Sequence, residues 1–317
     1  MTTSVAICTY NGENYIKEQL LSIINQRKKV DEIVLCDDGS TDDTISVVEK
    51  IKETYPYIKW TIKQNKQNLG FCDNFAQALS LCNGDIIFLS DQDDIWREDK
   101  TEVISLFFEK NKDKDVVFTN GTLIGTKELP PFTLFDIVGF TPDIQKQFDE
   151  GWATEFFAYD SHATGATMAL RRRILNGWNV SSKYNNKFNI PFHDIQLVFR
   201  ALSTNGLGYI PDCLIQYRIH NNQTSGFGGC LYNPPVYKRP LYESHFGDFI
   251  TIEGIDIRTA NRLRFYWQRA VLKEHRYGRK IIMNLMEYKK IYEQLWWKPF
   301  WSDLMYSLKI TFKKESK

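Results

Sequence analysis

Leu89-Ser90-Asp91-Gln92-Asp93-Asp94-Ile95-Trp96 joins two kinds of sequence at one point. Four apolar residues, Ile86–Leu89, run straight into three carboxylates within four positions. An uninterrupted apolar run of that length reads as a buried strand of a parallel sheet. Polar residues at the carboxyl end of such a strand sit where open α/β sheets bind ligands. Asp91 and Asp93, one residue apart on an extended segment, point to the same side and converge on one hard cation. Mg²⁺ or Mn²⁺ takes few protein oxygens and fills its shell with phosphate and water, so a diphosphate is its natural partner. The competing reading is an acidic surface turn that caps a helix over Ile95–Lys110.

Upstream, apolar runs alternate with helical periodicity. Strands are expected at Ser4–Thr9, Asp31–Cys36, Ile58–Ile62 and Asp85–Leu89, and helices at Asn14–Gln26, Thr44–Thr54 and Phe71–Leu81. This β-α-β-α-β-α-β order predicts an α/β domain with a mainly parallel sheet. Its strand ends place Thr9, Tyr10 and Asn11, then Asp37 and Asp38, then Asp91 and Asp93, along one crevice. Neither the GxGxxG dinucleotide fingerprint nor the GxxxxGK[ST] phosphate loop occurs.

Downstream, Val116–Thr119 reads as a further strand, and 120–160 as an irregular region able to close over a substrate. Ser161–Leu170 reads as a strand entered through a small-residue turn, where Gly165 permits close approach. A helix is expected over Ile195–Ser203, with Asp194 as its N-cap. Gly208–Pro211 and Leu214–Arg218 read as short strands, followed by a polar loop over 219–226.

The net charge of +1 over 317 residues hides a division. Residues 1–229 carry a net −7 and residues 230–317 a net +8. The boundary near 230 separates an α/β domain from a helical, basic extension, with long helices expected at Arg258–Tyr277 and Lys280–Trp297. Trp296, Trp297 and Trp301 beside Lys298 have the composition of an interfacial membrane helix. A helical hairpin packing its aromatic face on the first domain, or pairing between chains in a homo-oligomer, accounts for them equally. The six cysteines show no CxxC and no metal-ligand spacing, which predicts reduced, buried thiols in a cytosolic protein. Neither a secretory leader nor a run of about 18 apolar residues is present, so no membrane span is expected.

Thr9-Tyr10-Asn11, Asp37-Asp38-Gly39-Ser40-Thr41-Asp42, Asn68-Leu69-Gly70 and Asp91-Gln92-Asp93 together resemble the nucleotide-sugar half of the family 2 glycosyltransferases with the GT-A fold. The resemblance covers about residues 1–100. His193-Asp194 and Tyr217-Arg218-Ile219-His220 extend it through the acceptor half, 101–229. Asp-Gln-Asp-Asp-x-Trp is similar to the bacterial rhamnosyltransferase-like branch that builds cell-wall and capsular polysaccharide.

The resemblance implies an inverting, metal-dependent transferase that uses a nucleotide-diphosphate sugar. Its first donor is TDP-rhamnose, ahead of UDP-hexoses and UDP-N-acetylhexosamines. Thr9, Tyr10, Asn11, Asn68 and Gln92 would bind the donor nucleotide, with either Asp37 or Asp38 accepting from the base. Asp91 would face the ribose or a metal-bound water, and Asp93 and His220 would ligate Mn²⁺ or Mg²⁺. Arg218 would reach the diphosphate or pair with a core carboxylate.

Asp194 would be the general base, a role compatible with an N-cap. A protonated His193 beside it favours its charge, and a neutral one orients it. Ser161, His162, Gly165, His193 and Trp96 would flank the acceptor. That acceptor is expected to be a glycan or lipid-linked glycan at the inner face of the cytoplasmic membrane, with the tail as a peripheral anchor and no nucleic-acid partner. A sugar nucleotidyltransferase is disfavoured because the Tyr10–Asn14 turn lacks a Gly-rich, basic phosphate loop. A non-catalytic glycan-binding scaffold is disfavoured because the acids are all present.

The tail reading has a direct test. The chain cut near residue 230 is expected to lose binding to anionic vesicles, measured by cosedimentation; unchanged binding refutes the anchor, and an insoluble product favours packing on the domain.

Overall fold

The strand segments are short and almost wholly apolar, and each forms a strand whose carboxyl end stops at a polar turn. The computed structural model describes residues 1–125, 129, 131–154, 157, 162–177, 180, 192–220, 223 and 304–305. Ser161, the loop positions 221, 222 and 224–226, and the two helices expected after residue 257 lie outside the described residues. The chain divides into two units, one of Met1–Glu150 with Ser161–Val236, the other of Gly151–Asp160 with Tyr237–Lys317. The first unit is described here.

Its elements begin β1 (Thr3–Thr9), α1 (Ile16–Ile24), β2 (Glu32–Asp37), α2 (Thr44–Thr54), β3 (Lys59–Gln64), α3 (Phe71–Leu81) and β4 (Ile86–Ser90). They continue with β5 (Ile95–Trp96), α4 (Lys100–Lys110), β6 (Val116–Gly125), α5 (Leu134–Ile137), α6 (Pro142–Gln147), β7 (Ala169–Arg171), α7 (His193–Ser203) and β8 (Leu207–Ile219). The strands form one sheet in the order β3-β2-β1-β4-β7-β6-β8-β5. The expected α/β class with a mainly parallel sheet is what is found. β1, β2, β3 and β4 are mutually parallel, and β6 is parallel to β8. The short β7 runs antiparallel between β4 and β6, so β8 ends at the same edge as β4.

Burial follows the sequence. Val5, Ile7, Ile33, Leu35, Ile86 and Phe88 are fully buried, and α1 packs Ile16, Leu20 and Ile23 on them. β3 is the polar edge, half-exposed and carrying Lys59 and Lys63, which discourages further pairing.

Four expectations are corrected. No helix runs over Ile95–Lys110. Ile95 and Trp96 pair with Gln216 and Ile215 of β8, and Arg97 N donates to Leu214 O, so the segment is captured as an edge strand and the helix starts at Lys100. The two strands expected at 208–211 and 214–218 are one strand. Its register on β6 jumps from Thr119↔Ile210 to Asn120↔Cys213, leaving Pro211 and Asp212 as extra residues. Proline cannot donate to a ladder, so it sits in the bulge. β6 itself continues to Gly125. The segment before Leu170 is a 3₁₀ turn, Gly165–Thr167, and only Ala169–Arg171 is strand.

At the edge opposite the carboxyl ends, buried Glu32 ties three strands together. It accepts from Ser4 Oγ at 2.6 Å, Lys59 Nζ at 2.6 Å and Asn83 N at 2.8 Å. Burial opposes its charge, but the hydrogen bonds from Lys59, Ser4 and Asn83 outweigh it and bring its pKa from 4.5 down to about 2. A depressed carboxylate contributes stability above its unfolded pKa and loses it as pH falls through the folded one. Glu32→Gln is therefore expected to cost on the order of 2 kcal/mol at pH 7 and to flatten the decline between pH 4.5 and about 2, read from urea titrations across that range.

Candidate active site

Parallel strands bring their carboxyl ends together, and the turns after β1, β2 and β4 meet there as expected. Thr9 lies opposite Asp37 in the β1–β2 register, and Asp38 N donates to Thr9 O at 2.8 Å. Asp37 is fully buried. Its carboxylate accepts from Thr9 Oγ1 at 2.9 Å, from Gly39 N at 3.2 Å, from Ser40 N at 2.9 Å and from Ser40 Oγ. Asp38 reaches the other way. Its Oδ1 accepts from Asn65 Nδ2 at 3.0 Å and Leu69 N at 2.8 Å, and its Oδ2 from Gly70 N at 2.9 Å. Asn68 Nδ2 donates to Asp38 O at 3.3 Å. The Asn68-Leu69-Gly70 loop is thereby folded onto the end of β2, and Gly70 adopts φ 82°, a conformation open to glycine.

Tyr10 and Asn11 shape the rim. Tyr10 is 46% exposed. Asn11, itself left-handed at φ 49°, takes Ser40 Oγ on its backbone N–H at 2.8 Å and Thr41 N on its Oδ1 at 2.9 Å. The Gln92 side chain is engaged by backbone: its Oε1 accepts from Tyr10 N at 2.8 Å and its Nε2 donates to Tyr10 O at 3.1 Å. The amide thus adds one more rung between β1 and β4 beyond their last paired residues. It fits because residue 12 is glycine; a Cβ there would stand 2.3 Å from Gln92 Oε1.

The acids after β4 part ways. Asp93 Oδ2 lies 2.7 Å from His220 Nε2, so two of the three expected metal ligands, Asp91 being the third, stand together. Asp94 turns inward, where its Oδ1 accepts from Arg218 N at 2.9 Å and its buried Oδ2 has no hydrogen-bond partner among the described residues. Burial, with Asp93 and Asp91 nearby, pushes the Asp94 carboxyl well up. Asp91 is raised to about 7 by loss of water and by the charges of Asp93 and Asp194. Arg218 pairs within the fold: Nε donates to Asp93 O at 2.7 Å and Nη2 to Glu18 Oε2 at 2.5 Å.

Asp194 is not the N-cap. The helix α7 starts at His193, two residues before the expected Ile195, with Phe192 at the cap position, and Asp194 Oδ1 accepts from Ile195 N at 2.8 Å. Its Oδ2 accepts from Gly165 N at 3.3 Å. His193 is buried, stacked on Phe75 at 4.0 Å, with both ring nitrogens lacking a hydrogen-bond partner among the described residues; burial pushes its pKa down. An added Cβ on Gly165 would lie 2.9 Å from His193 Nε2, so the glycine is what lets the turn close on the ring. His162 Nδ1 lies 2.7 Å from Val138 O. Trp96 is 3% exposed and belongs to the core, against Phe88 and beneath Lys100.

Several participants carried no signal in the sequence. Lys100 is fully buried, donates to Ala166 O at 3.1 Å and lies 4.0 Å from the Trp96 ring centre. Burial lowers its pKa to about 7, against the pull of Asp94 and Asp91. It links the acids after β4 to the turn that presents Gly165 N to Asp194. Cys8, beside Asp91 and Asp38, has its thiol pushed up by burial and by charges around it. Tyr15 and Glu18 of the α1 turn contact Arg218 and His220, and nothing in an ordinary amphipathic helix distinguishes them.

The acidic cluster fits a divalent cation. Negative charge crowds Asp91 and Asp94, and a carboxylate and an imidazole face one another at its mouth. Among the described residues no group of three or more His, Cys, Asp or Glu is placed to hold a metal ion by itself. Asp93 and His220 would supply two ligands, leaving the remaining places to phosphate and water.

The sequence matches the family described as Glycosyl transferase family 2 over residues 4–175. It is similar to an uncharacterized glycosyltransferase of Haemophilus influenzae, 31% identical over 265 residues, or 81% of this chain and 77% of that protein. It is also similar to the dTDP-rhamnosyl transferase RfbG of Shigella flexneri, 30% identical over 231 residues, or 69% and 73%. In fold it is similar to S. aureus TarS 1-349 in complex with UDP-GlcNAc, at a TM-score of 0.57 and 18% identity, covering 86% of this chain and 73% of that one. The mannosyltransferase PcManGT from Pyrobaculum calidifontis, in complex with GDP-Man and Mn²⁺, has a TM-score of 0.52 and 15% identity over 98% and 84%.

Gly12→Ala tests the Gln92 rung. The clash falls on a flexible amide, so stability is expected to change by less than about 1 kcal/mol, while calorimetric affinity for a nucleoside diphosphate falls about tenfold as the rung breaks.

Proposed function

The chain belongs to glycosyl transferase family 2, and from that premise we propose that it is an inverting, Mn²⁺- or Mg²⁺-dependent transferase that adds rhamnose from dTDP-rhamnose to a bacterial cell-wall or capsular glycan. Its being a nucleotide-sugar glycosyltransferase follows from the family. The observation that supports the mechanism is the 2.7 Å approach of Asp93 and His220, with Asp194 near enough for its charge to bear on Asp91.

Asp38 rather than Asp37 accepts from the base N–H in this reading. A carboxylate offers about four lone-pair sites, and donors from Thr9, Gly39 and Ser40 fill those of Asp37, whereas Asp38 Oδ2 takes only Gly70 N. Thr9, Tyr10, Asn11 and Asn68 complete the nucleotide pocket, and Gln92 acts through the Tyr10 backbone. A cation held by Asp93 and His220 would neutralise charge on the leaving diphosphate. Arg218 holds the Asp93 backbone rather than the diphosphate.

Asp194 is the general base. Two backbone N–H groups fix its carboxylate, leaving lone pairs for the acceptor hydroxyl. As that oxygen forms its bond to C1, the C1–O bond to the diphosphate breaks on the opposite face and the proton passes to Asp194. His162, Gly165 and His193 would flank the acceptor in this reading, whereas Trp96, 3% exposed and packed on Phe88, is a core residue and is withdrawn from it. The rhamnose donor is supported by the relative named a dTDP-rhamnosyl transferase and by the Asp-Gln-Asp-Asp-x-Trp variant. A lipid-linked acceptor with the basic 230–317 extension as peripheral anchor rests on charge and tryptophan content. Among the described residues no helix is long and apolar enough to cross a membrane.

Nucleotide release with Mn²⁺ across UDP-, GDP- and TDP-sugars is expected from TDP-rhamnose and to stop with EDTA. Release from a UDP-sugar alone reassigns the donor, and release that survives EDTA refutes the metal. Asp194→Asn is expected to cut transfer by at least about 10³-fold while calorimetric nucleotide affinity stays within about twofold; transfer at the normal rate overturns the base assignment.

A further inference from the structure

His220 lies just past the end of β8, against the chain segment that carries Asp93, and something must hold its ring in register. Three contacts do so. Its ring packs on Tyr15 with centres 4.7 Å apart and planes inclined at 32°. Its backbone N–H donates to Gln223 Oε1 at 3.2 Å, and Gln223 Nε2 donates to Arg218 O at 2.6 Å. Arg218 in turn lies 5.1 Å from the same Tyr15 ring centre and grips both Glu18 and the Asp93 carbonyl. Tyr15 is chained to the nucleotide-side turn, since its N–H and that of Ile16 both donate to Gly12 O at 3.0 Å.

We infer that Tyr15 and Glu18 are positioning residues of the Asp93–His220 pair, setting where a divalent cation is held relative to the nucleotide-side turn. The inference rests on the metal reading above, and no residue of α1 figures in that reading. Core packing does not require this arrangement. The Glu18 side chain is 57% exposed, and an ion pair that open contributes little to folding. What the pair does fix is the guanidinium that spans Asp93 and the Tyr15 ring. Partners that orient a ligand typically change metal affinity ten- to a hundredfold when removed.

The test uses the full chain and Mn²⁺ alone, followed by electron paramagnetic resonance, with the His220 Cε1–Hε1 signal of the metal-free protein as a second readout. Glu18→Gln and Tyr15→Ala are expected to weaken Mn²⁺ binding about tenfold and to move the His220 signal, with the melting temperature of Glu18→Gln unchanged. Tyr15→Phe keeps the ring and is expected to restore wild-type affinity. If Glu18→Gln and Tyr15→Ala bind Mn²⁺ like the wild type, the positioning role is overturned while the metal reading stands. If the wild type fails to bind Mn²⁺ although Glu18→Gln still shifts His220, the metal reading falls and the positioning of His220 survives. A His220 signal unmoved in both variants overturns the inference whatever the metal does.

Discussion

One carboxylate closes the site. Asp94 accepts the Arg218 backbone N–H while its neighbour Asp93 meets His220, so the ends of β4 and β8 are drawn to the same place from positions more than a hundred residues apart in the chain. The same closure forces Ile95 and Trp96 into the sheet beside β8 and delays the helix to Lys100. It also seals Asp94 away from water, which is why the carboxyl resists ionisation and why a buried lysine stands nearby. Burying charge is costly without a partner. Asp91 and Asp94 bear that cost at the carboxyl edge of the sheet.

The two aspartates after β2 show how much of a polar motif is architecture. The family resemblance implied that one or the other accepts from the base, yet their oxygens chiefly order loops, Asp37 within its own turn and Asp38 across to Leu69 and Gly70. These turns are ordered by the protein itself, because the backbone N–H groups of Gly39, Ser40, Leu69 and Gly70 already have acceptors. The opposite edge obeys the same rule with different chemistry, where Glu32 anchors β1, β3 and the Asn83 turn.

The parallel half of the sheet was legible because each buried strand is an apolar run ended by turn residues, and α2 and α3 follow from periodicity to the residue. The convergence of Asp93 and His220 was legible only through family resemblance; topology then supplies the reason, since antiparallel β7 reverses the sheet and returns β8 to the β4 edge. What sequence misread was decided by tertiary capture. Ile95 and Trp96 have helical neighbours but find an open β8 edge. Asp194 has N-cap chemistry but spends it on Ile195 and Gly165. Pro211 looks like a strand break and is instead a bulge within one strand. Lys100, Tyr15 and Glu18 were invisible because their roles depend on partners distant in sequence.

The Gln92 amide has a consequence for how this surface is able to change over evolutionary time. It grips the main chain of residue 10 through both N–H and C=O, so the identity of that exposed side chain is uncoupled from the grip and is free to drift. Residues 12 and 92 enjoy no such freedom. The absence of a side chain at one makes room for the length of the other. A lineage that lost the glycine would have to shorten or redirect the amide in the same step, so the two sites are constrained as a unit while their exposed neighbour diversifies.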